Sequence, residues 1–221
     1  MIKACLFDLD GTILDTIKTI AYYCNRALEE FGIEPLETEK YNYLAGKGAR
    51  NLVEGMLRER NCYSEKLFEK IFPFYMESYD ANPTYLTEPF DGICSLLKEL
   101  KSMGIKTAVI SNKPDFATKY LCKEKFEDGL LDIVRGQVDG VKLKPDTEGP
   151  LLILNEFGVK NEEVLYVGDT DTDMHTGKNL GAYTVGVLWG FRKEDELRAN
   201  GADRIVSNPM EILKIAQEMS K

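Results

Sequence analysis

Phe7-Asp8-Leu9-Asp10-Gly11-Thr12 is the stretch that decides the fold of this 221-residue chain. An almost uninterrupted apolar run, residues 2–6, precedes it and predicts a buried strand. Because side chains alternate along a strand, Asp8 and Asp10 are expected to point the same way, and Gly11 allows a sharp turn after them. Two carboxylates held this close are stable only if a cation lies between them or one keeps its proton. The sequence therefore predicts a chemically active end to the first strand.

Three later segments place polar side chains beside predicted strands or loops. In chain order they are Val109-Ile110-Ser111-Asn112, Leu143-Lys144-Pro145 and Tyr166-Val167-Gly168-Asp169-Thr170-Asp171-Thr172-Asp173. One Asp-x-Asp motif alone is a weak signal, whereas four motifs in a fixed order are a strong one. Together with Asp8-Leu9-Asp10-Gly11-Thr12, these segments resemble the four motifs of the haloacid dehalogenase superfamily of phosphotransferases. The resemblance spans nearly the whole chain and is to the phosphoglycolate phosphatase-like branch.

The apolar pattern divides the chain into two kinds of structure. Residues 17–83 carry helical spacing only, whereas helices and strands alternate from Glu88 onward. This alternation predicts a Rossmann-like α/β fold, in which a parallel sheet is covered by helices on both faces. The first strand must join that sheet. Residues 17–83 are therefore predicted to form a small helical cap, inserted into a core of residues 1–16 and 84–221.

The predicted core elements are short and regularly spaced. Strands are expected at residues 105–110, 133–135, 164–167, 183–187 and 204–206. Helices are expected at residues 90–103, 114–123, 147–157 and 171–180. Because ligands bind outside the carboxyl ends of parallel strands, Asp8, Ser111 and Asp169 are expected to meet in one crevice beneath the cap.

Composition excludes several functional classes. A net charge of -9 and a pI near 4.9 argue against a nucleic-acid footprint or a basic membrane-binding face. The five cysteines are scattered and lack C-x-x-C spacing, so neither a zinc site nor a disulfide framework is implied. The first apolar run is too short for a secretory signal or a membrane span. We expect a cytoplasmic monomer or homodimer whose partner is a small phosphorylated metabolite.

The carboxylates suit metal-assisted phosphoryl transfer. An ionised Asp8 can attack phosphorus, provided that a cation offsets its repulsion of the phosphate. Mg²⁺ is the predicted cofactor, because it is usually held by one or two carboxylates, here Asp8 and Asp169, plus substrate and water. The resemblance implies that the backbone carbonyl of Asp10 is a third ligand and that Asp173 supports the metal. Asp10 is the predicted general acid and base.

The transferring phosphoryl group needs its own binding groups. Ser111 and backbone N–H groups near Gly11, Thr12 and Asn112 are predicted to bind the phosphate oxygens. Lys144 is predicted to offset charge on both the nucleophile and the phosphate. The catalytic set is therefore Asp8, Asp10, Ser111 and Lys144.

Substrate choice is assigned to the predicted cap. In the segment Leu44-Ala45-Gly46-Lys47-Gly48-Ala49-Arg50, the two glycines expose backbone N–H groups before a predicted helix, which suits an anion. Lys47 and Arg50 add positive charge and are predicted to bind a second negative group on the substrate. A solvated turn and helix face is the equally open alternative.

The predicted function is a Mg²⁺-dependent phosphatase acting through an aspartyl phosphate, with a phosphoglycolate-like substrate favoured. A phosphosugar mutase of the β-phosphoglucomutase type, or another small-metabolite or pyrophosphate hydrolase, would use the same core. A regulatory binding protein on an inactive scaffold is disfavoured because all four motifs are intact. A dehalogenase is disfavoured because halide displacement does not need Asp10.

Four further features are interpreted more plainly. The acidic run of the fourth motif is not a calcium loop, because it lacks the required glycine and glutamate. Asp171 is predicted to cap a helix. His175 is expected to be a bystander within that helix. Trp189-Gly190-Phe191-Arg192 resembles a run common near the end of phosphoglycolate phosphatase-like proteins, and its role stays open.

Overall fold

A computed structural model describes residues 1–219, and a six-stranded parallel sheet forms its centre. The strands are β1 (Ala4–Phe7), β2 (Leu14–Asp15), β3 (Glu88–Pro89), β4 (Lys106–Pro114), β5 (Ile133–Gln137), β6 (Val164–Gly168), β7 (Tyr183–Val187) and β8 (Arg204–Val206). The sheet runs in the order β5-β4-β1-β6-β7-β8 with parallel pairing throughout. β2 and β3 form a separate antiparallel pair. The predicted parallel α/β sheet is confirmed.

Helices pack on both faces of this sheet. They are α1 (Ile17–Glu30), α2 (Thr38–Leu44), α3 (Ala49–Glu59), α4 (Glu65–Ala81), α5 (Ile93–Ser102), α6 (Asp115–Lys125), α7 (Glu148–Phe157), α8 (Asp171–Leu180), α9 (Glu194–Ala199) and α10 (Met210–Glu218). Alternate residues of β1 face opposite ways: Cys5 and Phe7 join the apolar cluster that contains α5 and α10, whereas Leu6 joins the one that contains α7. A strand buried on both faces explains the nearly continuous apolar run before Asp8.

The four helices α1 to α4, here called the helical unit, lie between β2 and β3 in the chain and share an apolar cluster, which Ala117 and Phe191 also join. Tyr41, Phe68 and Tyr75 are buried in it. Aromatic side chains of this size each bury a large apolar area, which helps so small a bundle to form a core. The expected extent of a separate cap, residues 17–83, remains a prediction.

Several elements differ from the sequence-based expectation. β4 continues through Ser111 to Pro114, four residues beyond its expected end at Ile110. α9 and α10 were not predicted, and β2 and β3 are too short, at 2 residues each, to show an alternating pattern. Within the part of the chain described, the helices are too short or too polar to cross a membrane.

Candidate active site

Three chain segments converge at the carboxyl edge of the sheet. β1 lies between β4 and β6, so the residues that follow or end these strands become neighbours. The backbone N–H of Asp8 donates to the carbonyl of Val167 at 2.9 Å, which continues the β1–β6 pairing into the motif. Asp8, Ser111 and Asp169 are all buried there. This is the crevice position at which parallel α/β sheets bind ligands.

Asp8, Asp169 and Asp173 form a compact acidic group. One carboxylate oxygen from each lies within 4.8 Å of the others, and all three side chains are buried. Glycine permits this packing, because a Cβ added at Gly11 would overlap the Asp169 carboxylate. Gly11 also has φ +82°, a conformation that other residues rarely adopt. The glycine of the first motif is therefore required both for its turn and for contact with the fourth motif.

One lysine serves this acidic group. Lys144 Nζ lies 2.8 Å from Asp8 Oδ1 and 2.8 Å from Asp173 Oδ1, with its side chain 3% exposed. Burial and then the charge of Asp173 raise the pKa of Asp8 from 3.8 to about 7, against the lowering effect of Lys144. Burial, Asp173 and Asp8 together raise the pKa of Asp169 well above its ordinary value. Three carboxylates and one ammonium leave an excess of negative charge in a buried site.

The site fits a divalent cation. Asp8 Oδ1 is buried and, apart from its ion pair with Lys144, makes no directed hydrogen bond. One ammonium cannot balance three clustered carboxylates, and a hard oxygen-seeking cation beside them would offset the remaining negative charge. Asp10 has a different environment, since its side chain does not belong to the acidic group.

Hydrogen bonds fix both oxygens of Asp169. The Thr12 hydroxyl donates to Oδ1 at 3.0 Å, and the Phe191 backbone N–H donates to Oδ2 at 2.7 Å. Trp189 Nε1 donates in turn to the carbonyl of Thr12 at 2.9 Å. The side chain of Thr12, predicted near the phosphate, thus holds an acidic residue. The segment Trp189-Gly190-Phe191-Arg192, whose role the sequence left open, also positions Asp169.

Asn112 joins the second motif, the third motif and the helical unit. Its Oδ1 accepts from the Lys144 backbone N–H at 2.8 Å, and its Nδ2 donates to the carbonyls of Lys144 and Gly46 at 3.2 and 3.0 Å. Ser111 lies beside it, where its hydroxyl oxygen accepts from the Lys113 N–H at 3.2 Å. The predicted phosphate-binding residues Ser111, Asn112 and Lys144 therefore lie together.

Lys113 is the functional-site residue that sequence reasoning missed. Its Nζ lies 2.9 Å from both carboxylate oxygens of Asp10, and the two side chains are 8% and 12% exposed. Although burial acts to lower it, Asp10 and Tyr79 raise the pKa of Lys113 above its ordinary value. A lysine directly after Ser111-Asn112, at the carboxyl end of a strand, was the available signal. The predicted end of β4 at Ile110 concealed it.

A narrow pocket lies between the helical unit and the carboxyl edge of the sheet. Its cavity volume is about 40 Å³, and its lining includes Asp8, Asp10, Ser111, Gly46 and Gly48. A volume of this size has room for about three water molecules. The pocket therefore brings the two glycines predicted for substrate choice to the same space as the predicted nucleophile and general acid.

The two predicted cations of the same loop lie elsewhere. Lys47 Nζ is 3.3 Å from Asp171 Oδ2, and Arg50 Nη1 is 3.1 Å from Glu54 Oε1. The guanidinium of Arg50 also stacks on the ring of Phe68 at 4.4 Å. Neither side chain lines the pocket, and both are more than half exposed. The role predicted for them in substrate choice stays a prediction.

The predicted cap of α8 is wrong. Thr170, not Asp171, is the N-cap residue: its hydroxyl accepts from the Asp173 N–H at 3.4 Å, and Asp173 Oδ2 accepts from the Thr170 N–H at 3.1 Å. A Thr one residue earlier satisfies the capping pattern with Asp173 three residues on. Asp171 instead pairs with Lys47 and lies 3.8 Å from Arg192. His175 is exposed on α8.

A parallel sheet with three buried aspartates and one lysine at its carboxyl edge defines an α/β enzyme built around a carboxylate cluster. A profile of the haloacid dehalogenase-like hydrolases matches residues 5–187. The chain belongs to this family, as the four motifs predicted.

Several proteins similar to this chain are phosphatases. The chain is 33% identical to a phosphoglycolate phosphatase of Aquifex aeolicus (strain VF5), with 96% of each chain covered. It is 28% identical to an N-acetylmuramic acid 6-phosphate phosphatase of Pseudomonas aeruginosa, covering 97% of this chain and 94% of the relative. A solved structure from Lactobacillus delbrueckii subsp. bulgaricus, assigned provisionally as a phosphoglycolate phosphatase, superposes with a TM-score of 0.92 at 28% identity, covering 97% and 98%. The predicted enzyme class, a phosphoric monoester hydrolase, is confirmed.

Proposed function

We propose that the protein is a Mg²⁺-dependent phosphatase that hydrolyses a small phosphorylated metabolite through an aspartyl-phosphate intermediate, with a phosphoglycolate-like substrate favoured. The observation that carries the proposal is the buried group of Asp8, Asp169 and Asp173, with Lys144 as the one cation that contacts it among residues 1–219. Such a group has no purely structural advantage, because buried like charges destabilise a fold. This group of carboxylates can bind a divalent cation and transfer a phosphoryl group.

The first half-reaction forms a bond from a carboxylate oxygen of Asp8 to phosphorus and breaks the bond from phosphorus to the ester oxygen. Asp10, which lines the same pocket, donates a proton to the departing alkoxide. Lys144, 2.8 Å from Asp8, offsets negative charge as the phosphoryl group approaches. When bound, Mg²⁺ would be held by Asp8, Asp169 and the Asp10 carbonyl, and would neutralise the phosphate.

The second half-reaction returns Asp8 to its starting form. Asp10, now a carboxylate, takes a proton from water, whose oxygen forms a bond to the phosphorus of the aspartyl phosphate. The bond from phosphorus to the Asp8 oxygen breaks, which releases inorganic phosphate and the Asp8 carboxylate. Ser111 and Asn112 are placed to bind phosphate oxygens, since both line the pocket beside Asp8. One residue thus acts as acid and then as base, and the atoms and protons of the two steps balance.

The test is phosphate release from a panel of phosphorylated metabolites that includes phosphoglycolate, an amino-sugar 6-phosphate, a hexose phosphate and pyrophosphate. Removal of metal by EDTA should abolish release and Mg²⁺ should restore it. Ca²⁺ should bind without supporting turnover, because its longer bonds and larger ligand number favour engaging both oxygens of Asp8. Protein quenched in acid during turnover should carry one phosphoryl group on the peptide that contains Asp8.

The outcomes separate the proposal from its alternatives. Full activity with EDTA present, or no phosphoryl group on the Asp8 peptide, would contradict the mechanism. Conversion of a hexose phosphate to its isomer without phosphate release would identify a mutase. The relative that acts on N-acetylmuramic acid 6-phosphate makes an amino-sugar phosphate the second candidate substrate.

A further inference from the structure

Lys113 is the basic side chain that reaches the pocket between the helical unit and the sheet. Of the described residues that line it, Lys113 alone carries a positive charge. Its side chain is 8% exposed, whereas those of Lys47 and Arg50 are 53% and 60% exposed and lie outside the pocket. An ionic interaction is much stronger in a poorly hydrated site than at a surface, where solvent and salt screen it. A second anionic group on a substrate in this pocket would therefore meet Lys113.

Tyr79 adds a second polar group to the same space. Its ring lies 4.8 Å from Lys113 Nζ, and its buried hydroxyl interacts with the Lys113 ammonium but makes no well-directed hydrogen bond among the residues described. Tyr79 also lines the pocket. A buried hydroxyl without a well-directed hydrogen bond is destabilising, so its place in the pocket wall points to a ligand atom that would satisfy it.

Lys113 can bind a ligand while it holds Asp10. An ammonium group has three N–H donors, and Asp10 takes contacts at 2.9 Å with each of its two oxygens. At least one donor is left for another acceptor. Asp80 also lines the pocket, but its side chain is exposed, so water screens its repulsion of an anion.

We propose that Lys113 Nζ and Tyr79 Oη form an anion subsite, which binds the carboxylate of a short phosphorylated carboxylic acid while its phosphoryl end lies at Asp8. The inference rests on the proposed phosphatase function and specifies its substrate class. It places substrate choice on the last residues of β4 and on α4, instead of on the cations of the loop before α3.

The test compares two substrates of equal length in the Mg²⁺-loaded full chain. Phosphoglycolate carries a carboxylate where ethyl phosphate carries a methyl group. Lys113→Met should lower kcat/KM ten- to a hundredfold more for phosphoglycolate than for ethyl phosphate, which is the size of a lost charge-assisted hydrogen bond. Tyr79→Phe should lower it for phosphoglycolate alone by a smaller factor, through KM. Lys113→Arg should recover part of the selectivity.

Lys113→Met also removes the partner of Asp10 and could therefore be inactive. A measurement of ligand binding tests the subsite in that case. In an Asp8→Asn background, which prevents turnover, calorimetry should show that Lys113→Met weakens phosphoglycolate binding ten- to a hundredfold and leaves ethyl phosphate binding within about twofold. The matched control is Lys178→Met, which removes a surface ion pair with Asp203. Neither residue lines the pocket, so the binding of both ligands should stay unchanged.

Failure of the subsite and failure of the phosphatase proposal give different results. Equal losses for both ligands in the binding experiment would mean that Lys113 only holds Asp10, and this would overturn the subsite. No loss for either ligand would overturn it as well. If Lys113→Met does not fold, the same comparison of phosphoglycolate with ethyl phosphate is made with Tyr79→Phe. If the unaltered protein releases phosphate from none of the esters, the phosphatase proposal is contradicted instead. The protein would then bind these ligands without hydrolysing them.

Discussion

The carboxyl edge of the sheet and the loop before α3 both carry charged residues that the sequence marked as functional. The charged side chains are buried at the sheet edge and exposed in the loop. At the sheet edge, Lys144 is 3% exposed and contacts two buried carboxylates. In the loop, Lys47 and Arg50 are more than half exposed and pair with nearby acids. A buried charge is costly and persists where it has a use, whereas a surface ion pair contributes little. Burial, and not charge alone, separates the two regions.

The largest effect should come from Asp8. Asp8→Asn keeps the shape of the side chain but removes the nucleophile, so steady-state phosphate release should fall below detection. Enzymes accelerate phosphate-monoester hydrolysis by up to about 10²¹-fold, which leaves no visible residual pathway. Circular dichroism should show an intact fold. Asp128→Asn, at an exposed turn, is the control and should leave kcat unchanged. Substantial release by Asp8→Asn that is not due to deamidation would contradict the assignment.

Gly11→Ala tests how tightly the sheet edge is packed. The new methyl group would overlap Asp169 and would force a strained backbone, φ +82°. We expect a loss of about 1–3 kcal/mol in the free energy of unfolding and of about a hundredfold in kcat. Gly140→Ala is the matched control, because Gly140 has φ +84° with no atom near the added Cβ. Equal effects of the two substitutions would mean that only backbone strain matters.

The buried carboxylates should make the stability of the metal-free protein depend on pH. With its pKa raised from 3.8 to about 7, folded Asp8 keeps a proton that the unfolded chain releases. The free energy of unfolding should therefore decrease as pH rises from about 4 to about 7. Mg²⁺ should raise Tm more at pH 7 than at pH 5, because it binds the ionised form. A Tm of metal-free protein that increases over this range would contradict this account.

The smallest effect is expected for the loop cations. Lys47→Ala and Arg50→Ala each break a largely exposed ion pair, at Asp171 and Glu54 respectively, worth about 0–1 kcal/mol. If these cations act only there, kcat/KM for phosphoglycolate and for ethyl phosphate should change by less than about fivefold. A large loss for phosphoglycolate alone would return substrate choice to the loop. The measurement therefore decides between the loop and Lys113.

The sequence was informative where the chemistry constrains residue type and order. Asp8, Ser111 and Asp169 meet at one edge because parallel strands share a direction, and the alternation of helices and strands along the chain was enough to predict this. Side-chain direction in loops was not predictable. Lys47 turns to Asp171 because that carboxylate is near in space, although the two residues are far apart in the chain.

Lys113 is a site residue that the sequence did not predict. Its role in the site depends on contacts with Asp10, in the segment after β1, and with Tyr79 of α4, and neither contact has a local sequence signal. The two short strands β2 and β3 and the helix α9 were missed for a related reason: elements of 2 and 6 residues give too few positions for a periodic pattern.

The hydrogen bonds from Trp189 and Phe191 bear on how small a catalytic fragment could be. All four motifs end by Asp173, and the family profile ends at residue 187. A chain cut there would retain every motif, yet Asp169 Oδ2 would lose its N–H donor and the Thr12 carbonyl would lose its indole. The minimal active unit of this protein therefore extends past the last recognisable motif, through a segment that contributes backbone and shape instead of reactive side chains.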